Sequence, residues 1–323
     1  MNIVFCSDSN YVMPSGVFMK SVSVNNVNND IEFDAIIDES VTDEDKDALR
    51  GVIADNKKHK IRFFTVQGKD FEDMPNLGVS SEYAQKMKVT ALHTTKACYY
   101  RLSMAQLLPD TIKRVLYFDC DIIVTQDLLP MWNTDLEGKA VAAVKDEGEL
   151  DMSYDLLGYD TKDGYFNSGA MVIDLDYWRR NEMFPEFLKI INKHNGKMRQ
   201  HDQEILNIAF HDNVKLLPFK YNLQENFLRL PSTYSFYHKY SVEIERALRD
   251  YAVIHYTADK PWYADCGQPL KEYFFKYRAM TQWKNEKVTW KRPEFRRNIA
   301  IYRLLVRLRL KKDSYRKDIK REQ

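Results

Sequence analysis

Two carboxylates, Asp119 and Asp121, sit inside the apolar run "RVLYFDCDIIV" at residues 114–124. The run reads as one buried strand, and side chains two apart on a strand point to the same face. Both acids therefore project together and repel each other unless a cation lies between them. A hard divalent ion, Mg²⁺ or Mn²⁺, takes oxygen ligands and shares the phosphate oxygens of a nucleotide. Cys120 between them would face the core as a small hydrophobe.

The elements that must position this pair alternate between strand and helix, as βαβ units do. "NIVFC", "IEFDAIID" and "KIRFFTV" read as strands. "PSGVFMKSVSVNN" reads as a helix with Pro14 in its first turn, and "SVTDEDKDALRGVIADN" as one capped by Ser40 or Thr42. "ACYYRLSMAQLL" should be a helix stopped by Pro109, leading into the strand with the two acids. "AVAAV" and "SGAMVIDL" are apolar enough to be buried strands, while "DYWRRNEMFPEFLKIINKH" and "HDQEILNIAF" read as helices. From about Tyr221 the texture is irregular and rich in Tyr, resolving into the strand "YAVIHY", then a loop and an amphipathic helix ending near "EYFFKY". Polar residues fall where strands end, the place open α/β sheets reserve for ligands: Asp8 and Asn10, then Asp119 and Asp121, then Asp146.

Two rival readings of the acid pair remain. Acids at a strand end can simply cap a turn. Phosphatases of the haloacid-dehalogenase type use the first acid of such a pair as nucleophile, but there the motif opens the catalytic domain. Here 118 residues precede it.

The chain has 323 residues, 44% hydrophobic and 29% charged, the composition of a soluble globular protein. Its first apolar stretch is too short for a signal peptide, and no run has the length of a membrane span, so a cytoplasmic protein is expected. Cys6, Cys98, Cys120 and Cys266 show no paired spacing and read as buried thiols. The net charge of +1 hides an asymmetry, because residues 284–323 carry 15 of the 48 basic residues but only 5 of the 47 acidic ones. A basic tail on an acidic body points to an anionic surface rather than to nucleic acid, whose phosphates the body would repel.

"IVFCSDSNYVMPSGVFMKSVSVNN", "YYRL", "VLYFDCDIIV", "YFNSGAMVIDLDYWR", "HDQEILN" and "HYTADKPW" occur in that order. Together they resemble the retaining glycosyltransferases of family 8, and most of all the bacterial enzymes that add galactose or glucose to lipopolysaccharide or lipooligosaccharide. The resemblance runs from residue 2 to about 283 and implies an α/β, GT-A type fold: a Rossmann-like mixed sheet that binds a nucleotide sugar, flanked by helices. It implies a catalytic domain over residues 1–283; the charge and apolar spacing of residues 284–323 mark them as a basic helical, membrane-associating C-terminal tail.

The resemblance also implies roles for individual residues. Asp8 and Asn10 would hold the uracil and ribose of UDP, Tyr11 would stack on the base, and Arg101 would contact the donor. Asp119, Asp121 and His255 would ligate Mn²⁺, or Mg²⁺ in its place, with Cys120 inside that motif at the donor site. Lys260 would meet the diphosphate as a point charge. Asn167, Asp202 and Gln203 would surround the donor sugar, with Gln203 nearest the reacting face; front-face transfer is expected, in which the departing phosphate takes the proton of the acceptor hydroxyl. Asp146, His93 and residues 231–237 would hold the acceptor. One departure is visible: relatives read His-x-x-Gly-x-x-Lys-Pro-Trp, whereas His255 and Lys260 are one residue closer and the glycine is missing.

The implied partners are a UDP-hexose, an oligosaccharide or lipid-linked glycan, and an anionic membrane on the inner face of the cell. Arg296, Arg303, Arg307 and Lys311 fall near one face of the tail segment, with Ile299, Tyr302, Leu305, Val306 and Leu310 supplying apolar surface. Removing residues 284–323 is expected to release the protein from vesicles and to spare turnover of soluble acceptors. The alternatives are a metal-dependent phosphatase or nucleotidyltransferase using the same acid pair, and a non-catalytic UDP-sugar sensor.

Overall fold

The computed structural model describes residues 1–67, 97–149, 154–160, 164–194, 201–230, 235–316 and 319. The first three strands form as their apolar patterns require: β1 (Asn2–Ser7), β2 (Ile31–Ile37) and β3 (His59–Thr65), all parallel. Helix α1 (Val12–Asn25) joins β1 to β2, and α2 (Asp43–Ile53) joins β2 to β3. A capping box starts α2: Thr42 Oγ1 accepts from Asp45 N while the Asp45 carboxylate accepts from Thr42 N.

β4 (Arg114–Phe118), β6 (Val141–Lys145), β7 (Phe166–Asp174) and β8 (Val214–Leu216) complete a seven-stranded sheet in the order β3-β2-β1-β4-β7-β6-β8. Only β7 runs against its neighbours. The carboxyl ends of β1, β4 and β6 therefore share one edge with the beginning of β7. The pleat sorts side chains between two cores: Ile3, Phe5, Phe33 and Phe118 face one, with Val4, Ile36, Tyr117 and Met171 facing the other. α1 covers the first face; α3 (Leu175–Arg180), α4 (Met183–His194) and α5 (Asp202–Phe210) cover the second. The expected α/β mixed sheet with flanking helices is present.

Four segments differ from expectation. The run 114–124 is two strands, not one. β4 stops at Phe118, and β5 (Ile122–Val124) leaves the main sheet to pair with β9 (Val253–His255). The two acids lie at the break between the strands, with Asp119 partly exposed. The helix expected over 97–108 is two short turns, Ala97–Tyr100 and Met104–Leu107, joined by a tighter 3₁₀ turn at Arg101–Ser103. α3 and α4 are separate because Glu182 adopts a left-handed conformation (φ 47°) between them. The Tyr-rich stretch contains a helix, α6 (Ser235–Arg249), kinked at Tyr240; Phe236, Ile244, Ala247 and Leu248 line its buried side at helical spacing.

α7 (Lys271–Arg278) and α8 (Arg296–Arg307) follow. Among the described residues no helix is long and apolar enough to cross a membrane. The basic segment packs back on the domain: Thr289 bridges to Tyr263, and Tyr315 is buried against the first core. Ile299, Tyr302 and Val306, expected on the free apolar face, instead line a cavity against Asp259 and Asp265. Ile301, Leu304 and Leu308 face outward in their place, and Leu310 is exposed as expected. Cys6, Cys120 and Cys266 are free thiols, with Cys6 only partly buried; the side chain of Cys98 lies outside the described residues.

Candidate active site

Register alone brings the acid pair to an imidazole. On one side, Phe118 lies opposite Ala170, and Asp119 N donates to Gly169 O at 2.8 Å. On the other, Ile122 lies opposite His255, and Tyr256 N donates to Asp121 O at 3.0 Å. Asp119, Asp121 and His255 thus offer three ligand atoms within 4.8 Å of one another. Gly169 forms the floor: a Cβ there would lie 2.3 Å from His255 Cε1 and 2.8 Å from Asp119 Oδ2, so no side chain fits.

The residues suit a divalent cation. Asn167 Oδ1 accepts from Gly169 N at 2.9 Å and from Asn222 Nδ2 at 2.7 Å, which turns Asn222 Oδ1 toward His255 Nδ1 at 3.0 Å. Asn222 Oδ1 can only accept, so Nδ1 carries the proton. Nε2 then faces Asp121 Oδ1 at 3.3 Å, and that oxygen is buried with no hydrogen-bond donor. Two acceptors at this distance repel unless a proton or a metal joins them. Two carboxylates and an imidazole are a donor set that Mn²⁺ accepts. Burial alone would raise the Asp121 carboxyl, but the Lys260 ammonium beside it outweighs burial and holds the group well below the usual carboxylate range.

Arg101 lies behind the acids. Its Nη2 contacts Asp119 Oδ1 at 2.7 Å, its Nε contacts Asp202 Oδ2 at 2.9 Å, and its Nη1 donates to Ser168 O at 3.0 Å. The guanidinium stacks on Tyr117 at 4.4 Å, and the Tyr117 phenol donates to Asp119 Oδ1 at 2.9 Å. Asp119 Oδ1 is therefore occupied, and Oδ2 is the oxygen that faces His255. Burial pushes Asp202 up to about 6 despite Arg101. Gln203 Oε1 accepts from Ser168 N at 3.0 Å, while its Nε2 donates to Asp146 Oδ2 at 3.1 Å. Asp146 also accepts from Asn167 Nδ2 at 2.9 Å and from Gly148 N at 2.7 Å. One buried network thus runs from Gln203 and Asp146 through Asn167 and Asn222 to His255.

The chain matches the family model described as "Glycosyl transferase family 8" over residues 2–266. It belongs to that family. It is 30% identical over 290 residues to General stress protein A of Bacillus subtilis (strain 168), covering 88% of this chain and 94% of that one. It is 25% identical over 296 residues to a lipopolysaccharide 1,2-glucosyltransferase of Escherichia coli (strain K12), covering 88% and 80% of the two chains. Among solved structures it is similar to the galactosyltransferase LgtC in complex with donor and acceptor sugar analogues. That match has 26% identity and a TM-score of 0.71, and covers 87% of this chain and 96% of LgtC. The protein is accordingly a glycosyltransferase with a GT-A-like fold.

In this family 8 enzyme Asp8 caps the 3₁₀ turn Ser9–Tyr11, its Oδ1 accepting from Asn10 N at 2.9 Å, and Asn10 is exposed. The Tyr11 ring meets Trp262 edge-on at 5.8 Å, and burial pushes its phenol up to about 12. Lys260 Nζ reaches Asp121 Oδ2 at 2.5 Å and donates to Tyr256 O at 2.7 Å, so the shortened His255–Lys260 spacing still returns the lysine to the acids. Cys120 is not among the residues brought together. Its sulfur accepts from Ser15 Oγ at 3.0 Å and donates to Cys6 O at 3.1 Å, inside the core. His93 and residues 231–234 lie outside the described residues; Tyr237 sits on α6, its phenol on Glu245 Oε1 at 2.7 Å. Sequence reasoning missed Asn222, Gly169 as the floor, and Trp262, which stands inside the quoted "HYTADKPW".

Proposed function

We propose that the protein moves a hexose, galactose or glucose, from a UDP-sugar to a hydroxyl of a glycan with retention of configuration. The observation that carries this is the corner at Asp121, whose two oxygens face His255 Nε2 and the Lys260 ammonium. Asp119, Asp121 and His255 would hold Mn²⁺, with Mg²⁺ as the other candidate. A bound ion would supply Lewis-acid stabilisation of the charge that grows on the leaving diphosphate.

The chain's own residues supply the rest. Lys260 meets the diphosphate, Asp8 and Asn10 hold the uridine, and Tyr11 packs on the base. Asn167, Asp202 and Gln203 wall the donor sugar, and Asp146 lies where the acceptor would sit. No carboxylate on that wall is free to attack: Asp202 is paired with Arg101, and Asp146 accepts three hydrogen bonds. That arrangement supports front-face transfer. The C1–O bond to the diphosphate breaks, the acceptor oxygen bonds to C1 on the same face, and its proton passes to the departing phosphate oxygen. Preorganised positive charge at Lys260 is the main contribution of the protein's own side chains.

The acceptor is lipopolysaccharide or another lipid-linked surface glycan, in keeping with the relatives named for lipopolysaccharide. Ile301 and Leu304 on α8, and Leu308 just past its end, face outward beside the exposed Arg297, Arg307 and Lys311. That surface suits an anionic bilayer, placing the enzyme at the cytoplasmic face of the membrane.

A screen of UDP-hexoses with Mn²⁺, following UDP release with and without an oligosaccharide acceptor, tests the function. Release that requires both one hexose and the acceptor is expected. Equal hydrolysis of simple phosphate esters would favour the phosphatase alternative, and binding without release under any acceptor would favour the sensor.

A further inference from the structure

The loop over residues 256–260 connects His255 to Lys260, and it is the segment one residue shorter than the family spacing. Its supports come from elsewhere in the chain. Asp259 N donates to Glu225 Oε2 at 3.1 Å, and Thr257 Oγ1 accepts from Glu225 N at 3.2 Å. Asp259 Oδ1 accepts from Arg292 Nη2 at 3.0 Å, while Arg292 Nε holds Asp265 Oδ2 at 2.9 Å. Glu225 is fully buried, and a buried carboxylate needs donors on both oxygens. Its Oε1 receives the Tyr315 phenol at 2.5 Å and Arg229 Nη2 at 3.2 Å.

Arg292 and Tyr315 both belong to the C-terminal arm, beyond residue 266 where the family match ends. Two backbone bonds deliver the phenol: Leu230 N donates to Ser314 O at 3.2 Å, and Arg316 N donates to Leu228 O at 2.9 Å. The Arg229 guanidinium lies 5.0 Å from the Tyr315 ring centre. The arm thus covers Glu225 and supplies one of the three hydrogen bonds to its carboxylate, while Glu225 fixes the amide next to Lys260.

We propose that the C-terminal arm is part of the frame of the active site. Tyr315 and Arg292 are positioning residues that hold loop 256–260, through Glu225 and Asp259, so that Lys260 meets the donor diphosphate. This rests on the role given to Lys260 above. It reverses the expectation that residues 284–323 can be removed without loss of turnover.

Tyr315→Phe keeps the ring and removes the phenol oxygen; Arg292→Gln is the second variant. Two measurements on the full chain decide the matter. The first is amide hydrogen exchange at Asp259, expected to quicken about ten-fold or more as the local opening free energy falls. The second is a double-mutant cycle with Lys260→Ala on transfer from the UDP-hexose that the screen identifies. Each arm variant is expected to lower kcat with acceptor KM within about two-fold, and to cause no further loss once Lys260 is absent. Unchanged exchange at Asp259, wild-type kcat, or losses that multiply in the Lys260→Ala background would overturn the proposal. Faster exchange together with full activity of Lys260→Ala would leave the arm's hold on the loop standing and refute the role of Lys260 instead.

Discussion

The corner of Asp119, Asp121 and His255 and the C-terminal arm hold their side chains by opposite means. In the corner, each functional group sits within a residue or so of a ladder hydrogen bond: Asp119 N to Gly169 O, Tyr256 N to Asp121 O. The backbone sets the geometry, and short side chains have little freedom to leave it. In the arm, long side chains reach across: Arg292 to two acids, Arg303 to the carbonyls of Ala264 and Cys266, Arg316 to Glu245. Placement by the backbone is the tighter of the two, and the loop that carries Lys260 is left to the softer arrangement.

Several substitutions would break or sharpen that contrast. Gly169→Ala should do the most damage in the corner, because its Cβ would drive into the His255 ring. A loss of divalent-ion affinity of about 100-fold is expected by calorimetry, with transfer falling in step. Asn222→Ala removes the acceptor that fixes the His255 tautomer and should weaken ion affinity by about 10-fold, leaving thermal stability less affected. On the arm, Leu304→Asp should lower binding to anionic vesicles several-fold in a sedimentation assay. Turnover of a soluble acceptor should not change, because Leu304 faces away from the domain.

The smallest effect is expected at Glu147, which accepts from Thr257 Oγ1 and so touches the loop between the two regions. Burial and the neighbouring Asp146 push it up to about 7 from 4.5. The folded state then binds this proton more tightly than the unfolded chain. Stability from this group falls as pH rises between those two values and is level above. Glu147→Gln should therefore raise Tm relative to the parent at pH 8, with the difference shrinking toward pH 5.

The corner was the more legible region. The spacing of Asp119 and Asp121 in an apolar run pointed to paired carboxylates, and alternation sent Cys120 inward, where its sulfur lies among Ser15 and Cys6. The break after Phe118 left no trace in periodicity, because the apolar pattern continues on both sides while the strand changes partner. Asn222 carries no motif; its task comes from what the fold brings beside it. Arg101 could be placed near the donor by resemblance, but not behind Asp119, since two acids compete for it only after folding. The outward face of α8 was misplaced for a related reason. Apolar residues occur on two sides of α8, and pattern alone does not say which side the domain covers.

Titration of Mn²⁺ into the protein with and without UDP, for the parent chain and for Asp121→Ala, tests the central claim most directly. Expected is one Mn²⁺ per chain, UDP affinity that depends on the ion, and loss of both in the variant, with transfer falling about a thousand-fold or more. Asp121→Ala that still binds Mn²⁺ and UDP together, or a parent chain that transfers at full rate in excess chelator, would contradict it.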